Sequence, residues 1–369
     1  MSTQRKPGLS VDTAGRLARC RREMRRRKIS AYLVSKRWDG FYLTGFSGED
    51  SAVLILPNAV HVLTDGRFKD VCRKECSWAK AWIRHGSLNA EIAKVCKALK
   101  PRSIAFQPEA LTVTDLKDLT KHCRPTRFRE APPIVSQMRR QKDAHELRLM
   151  GKAMRIAEDA FLAVRETIRP GQTELEIAAR LEYEMKLRGA SSSAFTSICA
   201  EGANAALPHA HSGRRKIKAG SALLIDWGAR VDHYCSDLTR VLFVGSVPPK
   251  IGEVYRLAVH AQELAIRDIR PGRRMCDVDA VARGAIAEAG FGDNFGHGLG
   301  HGIGMDVHEP PSLSWRSTEE LEAGMVVTVE PGIYLPGVGG VRIEDDVLVT
   351  PNGCRVLTRL PRSLEWAVI

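Results

Sequence analysis

Asp226, Asp237, Glu330 and Glu344 stand where acids can act together. Asp226 ends the apolar run Leu223-Leu224-Ile225, and Asp237 opens a second one, Leu238–Val244, after the polar stretch Arg230-Val231-Asp232-His233. A hairpin turning between Val231 and Asp232 brings Asp226 opposite Asp237. Glu330 and Glu344 bracket Pro336-Gly337-Val338-Gly339-Gly340, and a hairpin centred on Gly337 sets them face to face. Opposed residues of an antiparallel ladder have Cβ atoms about 4.5–5.5 Å apart, so each hairpin is expected to offer a pair of carboxylates among apolar strand residues. Taken singly, each acid reads as a hairpin-surface residue or a cap. That reading leaves acids at matched places in two similar strands unexplained. Four partly buried carboxylates repel one another and cannot all ionise unaided. Two divalent cations offset them, and acids bridging metals about 3.5–4 Å apart activate water for hydrolysis.

A nitrogen donor is then expected nearby. The segment Phe295–Pro310 holds His297, His301 and His308 among Gly296, Gly298, Gly300, Gly302 and Gly304. A lone histidine is more often a packed or surface residue than a ligand. Three within twelve residues, set between glycines that admit close backbone approach, favour a site. Other motifs fail on spacing. The glycines follow GxGxGxG, not the GxGxxG of a dinucleotide loop. Gly45-Phe46-Ser47-Gly48-Glu49 lacks the final glycine of a nucleophile elbow, and His308-Glu309-Pro310 lacks the second histidine of a zincin helix.

The elements that must hold these residues repeat. Ile168-Arg169-Pro170-Gly171 closes one long apolar helix and Ile269-Arg270-Pro271-Gly272 another. A further helix follows each, the first capped by Thr173 with Glu176 three residues on. Each half then carries Ala-Gly, five residues, an acid, one residue and Gly: Ala219-Gly220…Asp226-Trp227-Gly228 and Ala323-Gly324…Glu330-Pro331-Gly332, both offset by 104 residues. An internal duplication is the simplest account. Upstream, residues 31–37, 51–57, 59–68 and 103–109 read as strands. Leu88, Ile92, Cys96 and Leu99 line one face of a helix capped by Ser87 and stopped by Pro101. The predicted architecture is α+β: a small α/β domain over residues 1–135 and a duplicated domain over 136–369. The charged, Pro-led stretch 131–146 reads as the connection. A helix from about 145, with Leu147, Met150, Met154, Ala157, Phe161, Val164 and Ile168 on one stripe, opens the second domain.

Composition narrows the class. A chain of 369 residues, 44% hydrophobic and 27% charged, fits two or three globular domains and excludes a disordered one. No run approaches the ~18 apolar residues of a membrane span, and the N-terminus has no apolar signal core. A cytoplasmic protein with nine reduced, scattered cysteines is expected; Cys72 and Cys76, the one close pair, belong to no zinc-like set of four. The net charge of +13 raises nucleic acid as a partner, but ten Lys/Arg crowd into residues 1–30 against Asp12 and Glu23. With Leu17, Cys20 and Met24 at helical spacing, that segment reads as a surface helix with a solvated basic face. It carries no interleaved aromatics of the kind single-strand binders use, so neither nucleic acid nor membrane is the expected partner.

The pattern resembles the metal-dependent pita-bread peptidases of family M24, in the Xaa-Pro aminopeptidase and prolidase branch, over essentially the whole chain. Tyr42-Leu43-Thr44-Gly45-Phe46 followed by Thr64-Asp65-Gly66-Arg67 resembles that branch's creatinase-type N-terminal domain. The resemblance implies a catalytic domain with pseudo-twofold symmetry and five metal ligands, Asp226, Asp237, His301, Glu330 and Glu344. Asp226 would chelate one ion, His301 and Glu330 the other, and Asp237 and Glu344 would bridge. Four carboxylates and one imidazole form a hard donor set, so manganese is favoured for the two divalent ions, with cobalt, iron or zinc as substitutes. The resemblance also implies His209 as a loop histidine near the substrate, with His211 left as ordinary surface. His297 would line the site, and His308 would stand by the scissile carbonyl and stabilise its oxyanion. Arg342 falls in the branch's Arg-Ile-Glu-Asp pattern. Glu330 would carry the proton to the leaving proline nitrogen, Thr239 would bond a bridging carboxylate, and Tyr334 would face the cavity. Asp345 and Asp346 would be structural. The implied activity is hydrolysis, by a metal-bridging hydroxide, of the Xaa-Pro bond at the N-terminus of small peptides, in a homodimer. The alternatives are a prolidase limited to Xaa-Pro dipeptides and, against an intact ligand set, a non-catalytic binding module.

Overall fold

Unbroken apolar runs become the centre of a sheet covered on both faces, as such runs require. The computed structural model describes residues 12–369, and the chain divides into two compact units at Arg139/Arg140. In the first, β1 (Tyr32–Val34), β2 (Ala52–Ile55), β3 (Val60–Asp65), β4 (Lys80–Arg84), β5 (Ser103–Phe106) and β6 (Arg127–Glu130) form one sheet in the order β4-β3-β2-β1-β5-β6. Its middle strands β1, β2 and β3 are buried at every residue. Leu33, Leu54, Ile104 and Phe106 pack with Ile92 and Cys96 of the helix Leu88–Leu99. Ser87 caps that helix by accepting from Ala90 N–H at 3.2 Å.

Three expectations need correction here. The strands β4 and β6 are absent from the sequence reading because they are edges rich in Lys and Arg, charge that protects an edge but hides its alternation. The stretch 131–146 is not simply a connection: Ile134–Arg140 is helical and buries Ile134 and Val135. The basic helix, Thr13–Arg26, turns Leu17, Cys20 and Met24 inward, yet its basic face is only half solvated. Arg16 is fully buried, its guanidinium 4.0 Å above the Tyr42 ring, and Arg21 donates to the carbonyls of Leu56 and Ala59 at 3.0 and 3.2 Å. Arg5 and Lys6 lie outside the described residues.

The second unit repeats itself. The helix pair Ala144–Arg165 and Glu174–Leu187 is matched by Pro249–Asp268 and Met275–Glu288. Gly171 N–H donates to Ile217 O and Gly272 N–H to Leu321 O, while Thr173 bridges Lys216 and Arg274 bridges Glu320. The partners fall 104 residues apart in both cases. Gly220 and Gly324, at φ 74° and 92°, turn each half into its central strand. The strands are β7 (Ser192–Ser193), β8 (Ile198–Glu201), β9 (Ala222–Trp227), β10 (Ala229–Val231), β11 (Tyr234–Cys235), β12 (Leu238–Phe243), β13 (Gly300–Gly302), β14 (Glu309–Leu313), β15 (Val326–Val329), β16 (Gly332–Leu335), β17 (Gly339–Arg342), β18 (Asp345–Thr350) and β19 (Gly353–Val356). They form the sheets β12-β9-β8, β11-β10-β7, β14-β13-β15-β18-β19 and β16-β17.

The register of the second hairpin is the expected one. Val329 pairs Asp345 and Gly332 pairs Arg342 in one continuous count, which sets Glu330 opposite Glu344. The first hairpin is slipped by two: Asp226 pairs Thr239, not Asp237. Its turn is Asp232-His233, at φ 46° and 77°, one residue later than expected. The loop is a two-residue one of the kind right-handed strand twist selects, with left-handed conformations at both positions. Among the described residues no helix is long and apolar enough to cross a membrane, and all nine cysteines are unbridged.

Candidate active site

Period-two alternation at four strand ends aims the acids at one place. Asp237 and Thr239, Thr328 and Glu330, and Arg342 and Glu344 are each two residues apart and so share a face; Asp226, opposite Thr239, joins them. Glu344 N–H donates to Thr239 O at 3.1 Å, a bridge that ties the two hairpins together. His301 arrives on β13 between Gly300 and Gly302. A Cβ at Gly300 would lie 2.0 Å from Thr328 O, so only glycine lets this strand run so close to its neighbour.

Ligand-type atoms of Asp237, His301 and Glu344 lie within 4.8 Å of one another. His301 Nε2 is 3.3 Å from Glu330 Oε1 and 3.8 Å from Asp237 Oδ2. Its Nδ1 is 3.1 Å from Gly302 O. A carbonyl only accepts, so Nδ1 carries the proton and Nε2 turns its lone pair towards the acids. Thr239 Oγ1 donates to Glu344 Oε2 at 2.6 Å. Arg342 binds four groups at once: Asp226 Oδ2 at 2.5 Å, Thr239 Oγ1 at 3.1 Å, the Tyr334 hydroxyl at 2.9 Å and Pro208 O at 3.2 Å. That hydroxyl donates in turn to His297 Nε2 at 2.9 Å, while His297 Nδ1 donates to Gly298 O at 2.8 Å.

Burial raises the pKa of every acid in the cluster, and the acids raise one another. For Asp237 the largest cause is burial and the next Glu344; for Glu344 burial is followed by Glu330, and both groups stand well above the carboxylate range. Asp226 is raised by burial against the opposing pull of Arg342, and Glu330 by burial against His297 and Arg342. Burial lowers the pKa of His301. Asp226 Oδ1 is buried without a hydrogen-bond partner. An orphaned carboxylate oxygen, mutually repelling acids and an imidazole lone pair aimed among them fit a hard divalent cation.

These groups line a cavity of about 560 Å³. All nine residues singled out above, Asp226, Asp237, His301, Glu330, Glu344, His209, His297, His308 and Arg342, reach it. So does His211, which the sequence reading set aside as ordinary surface. Tyr334 does not line it; its ring stands behind the wall, braced between His297 and Arg342. Both His297 nitrogens are engaged by the protein, whereas the His308 ring, 4.2 Å from that of His301, has no hydrogen bond to the described residues. A second cavity of about 590 Å³ adjoins across His301, His308 and Ser312 and extends to Arg316 and Glu319. Asp345 accepts from Arg240 at 2.7 Å, Gln262 at 3.0 Å and Thr358 at 2.6 Å, and Asp346 accepts from Asp237 N–H at 3.2 Å; both brace the site from behind. Sequence reasoning missed Thr328, which accepts from His301 N–H at 3.0 Å and donates to Glu330 at 3.1 Å. The available signal was a hydroxyl two residues from an acid on one strand.

Residues 148–351 match the family model of metallopeptidase family M24. The chain belongs to that family. Residues 16–141 match the creatinase/prolidase N-terminal domain. This M24 chain is 36% identical to the Xaa-Pro dipeptidase of Pyrococcus horikoshii over 92% of its own length and 96% of the relative's. Among solved structures, the Xaa-Pro dipeptidase of Bacillus anthracis superposes with a TM-score of 0.92 at 35% identity, covering 97% of this chain and 100% of that one. The X-Pro aminopeptidase of Thermotoga maritima does so at 0.87 and 37%, covering 94% and 100%. The protein is therefore a metal-dependent hydrolase, with a creatinase-type domain ahead of a duplicated pita-bread catalytic domain.

Proposed function

We propose that this M24 enzyme hydrolyses the Xaa-Pro bond at the N-terminus of short peptides, as an Xaa-Pro aminopeptidase holding two divalent ions, manganese by preference. The observation that carries the reading is the convergence of Asp226, Asp237, His301, Glu330 and Glu344 on one cavity floor beside exposed histidines. Those five residues would hold the ions. When bound, the ions supply Lewis acidity and a water that ionises near neutral pH. The rest falls to the chain's own groups. Glu330, raised by burial and steadied by Thr328, holds and passes the proton that the proline nitrogen needs in order to leave. His308, free at both nitrogens among the described residues, donates to the developing oxyanion, and His209 meets the substrate at the cavity mouth. His297 acts as a positioning residue: through Tyr334 it orients Arg342, which fixes Asp226. The names of the Pyrococcus horikoshii and Bacillus anthracis relatives favour a second reading, an Xaa-Pro dipeptidase. The adjoining cavity past His308 offers room next to the site and favours the longer substrate. Turnover of Xaa-Pro and Xaa-Pro-Xaa by the manganese-loaded protein decides. Cleavage of the dipeptide alone selects the dipeptidase, and cleavage of neither rejects both.

A further inference from the structure

The excess positive charge of this chain belongs to one of its two units. Residues 1–139 hold 28 Lys/Arg against 13 Asp/Glu, a net +15, while residues 140–369 hold 28 against 30, a net −2. Five of those cations, Lys97, Lys100, Arg102, Arg124 and Arg127, line a cavity of about 420 Å³ whose floor includes Cys96, Cys123 and Thr126. No carboxylate lines it. None of the five charged heads has an ion pair or hydrogen bond to a described residue. Asp118, outside the lining, lies 2.9 Å from His122 Nδ1. The helices Leu88–Leu99 and Val113–His122 both end here, and cations commonly serve helix ends by bonding the last carbonyls. None of these five does so.

We propose that this cavity binds a compact polyphosphate anion: inorganic tripolyphosphate, or the phosphate tail of a nucleotide. Three guanidinium forks and two ammonium groups match the several oxygens of adjacent phosphates. The volume falls within the roughly 300–1,000 Å³ of small-ligand sites. The frame is fixed before any ligand arrives. Ser103 pairs Arg127 across β5 and β6, Arg127 N–H donates to Arg102 O at 3.2 Å, and Thr126 Oγ1 donates to Pro101 O at 2.8 Å. Arg102 and Arg127 are therefore held at the start of two paired strands. No aromatic side chain lines the cavity, so it reads phosphates rather than bases and lacks the stacking platform of a single-strand binder.

The test is calorimetric titration of the metal-loaded full chain with tripolyphosphate at low salt. The wild type is compared with Lys100→Gln/Arg102→Gln/Arg124→Gln, and with a control on the outer face of the first helix, Arg22→Gln/Arg25→Gln/Arg26→Gln. The expected result is saturable single-site binding by wild type and control, at least about tenfold weaker in the cavity variant, as loss of bonds between charged groups implies. ATP should compete for the same site, and all three proteins should keep their fold by circular dichroism and their peptidase turnover. Absence of saturable binding by the wild type overturns the proposal. Undiminished binding in the cavity variant overturns it too and places the anion elsewhere, the chelatable metal ions included. Equal weakening in both variants reduces it to diffuse surface charge. Tighter binding of a single-stranded oligonucleotide than of tripolyphosphate replaces the small ligand with a polymer. The difference between the cavity variant and the wild type reads this site, whereas turnover of proline peptides, measured separately, reads the peptidase assignment.

Discussion

Removing the ammonium of Lys142 measures how firmly His308 is held. Lys142 Nζ lies 2.9 Å from Glu309 Oε1, with the two side chains only 1% and 5% exposed. Glu309 follows His308 and opens β14. A Cβ at Gly304 would lie 2.5 Å from that same oxygen, so the carboxylate is packed against bare backbone with little room to move. Lys142→Met keeps the aliphatic stem and deletes the charge, leaving a buried carboxylate without its cation. Breaking a buried pair in this way costs about 3–5 kcal/mol. Even the lower end, about 3 kcal/mol, is a large share of the ~5–15 kcal/mol that holds a domain folded. The double variant Lys142→Met/Glu309→Gln removes both charges at nearly constant volume and should recover at least half of the loss. Urea denaturation reads both numbers, provided the slope m is unchanged. The single variant should also lose kcat/KM on a proline peptide, because the segment carrying His308 relaxes, and the double should regain it. A loss below about 1 kcal/mol in the single variant, or a double no better than the single, would refute the reasoning.

Glu344→Ala should abolish turnover, whereas Thr239→Ala, which removes one hydrogen bond to Glu344, should lose about 10–100-fold in activity or metal affinity; equal residual rates would deny Glu344 a role as ligand. Exhaustive chelation should abolish activity and lower the thermal midpoint, with manganese restoring most; full activity after chelation would rule out the proposed centre. His61 accepts from Trp82 Nε1 at 2.9 Å, and burial, helped by Lys80, holds its pKa below the ordinary histidine value. The unfolded chain therefore binds more protons than the folded one as pH falls through about 6.5. The stability His61 contributes is present above that pH and is lost as pH drops through its folded pKa. In denaturation series across that range, His61→Phe should flatten the acid limb, and an unchanged limb would exclude His61 as its source.

What could be read from the chain alone depended on whether a group's partners are local. The capping box of Thr173 and Glu176, the stripe Met150-Met154-Ala157-Phe161-Val164 and the glycines around His301 involve neighbours a turn or a strand away, and period and turn chemistry expose them. Arg240 was invisible. It is fully buried and donates to Leu360 O, Glu344 O and Asp345 Oδ1 at 2.8, 2.6 and 2.7 Å, partners more than a hundred residues away. Nothing in Leu238–Phe243 marks that arginine as the clamp behind Glu344. Tyr334 shows the same limit in reverse, since a tyrosine near a site acts here through Arg342 and His297 without touching the cavity.

The two hairpins show why the chemistry was nonetheless legible. Pro336-Gly337-Val338 centres the second turn, because Gly337 takes φ 75° and the ladder counts outward from it to Glu330 and Glu344. In the first, the left-handed positions fall on Asp232 and His233, residues that tolerate that region less visibly than glycine, and the expected turn is one residue early. Moving a turn by one residue shifts every pairing by two. Side chains alternate with a period of two, so a shift of two exchanges the opposing partner but keeps the face. Asp237 consequently faces Gly228, where a Cβ would meet Ser236 O at 2.0 Å, and still points to the same side as Asp226. A shift of one would have sent Asp237 to the opposite face and dispersed the cluster. Prediction of a carboxylate centre from strand pairing thus requires the parity of the register, not the register itself.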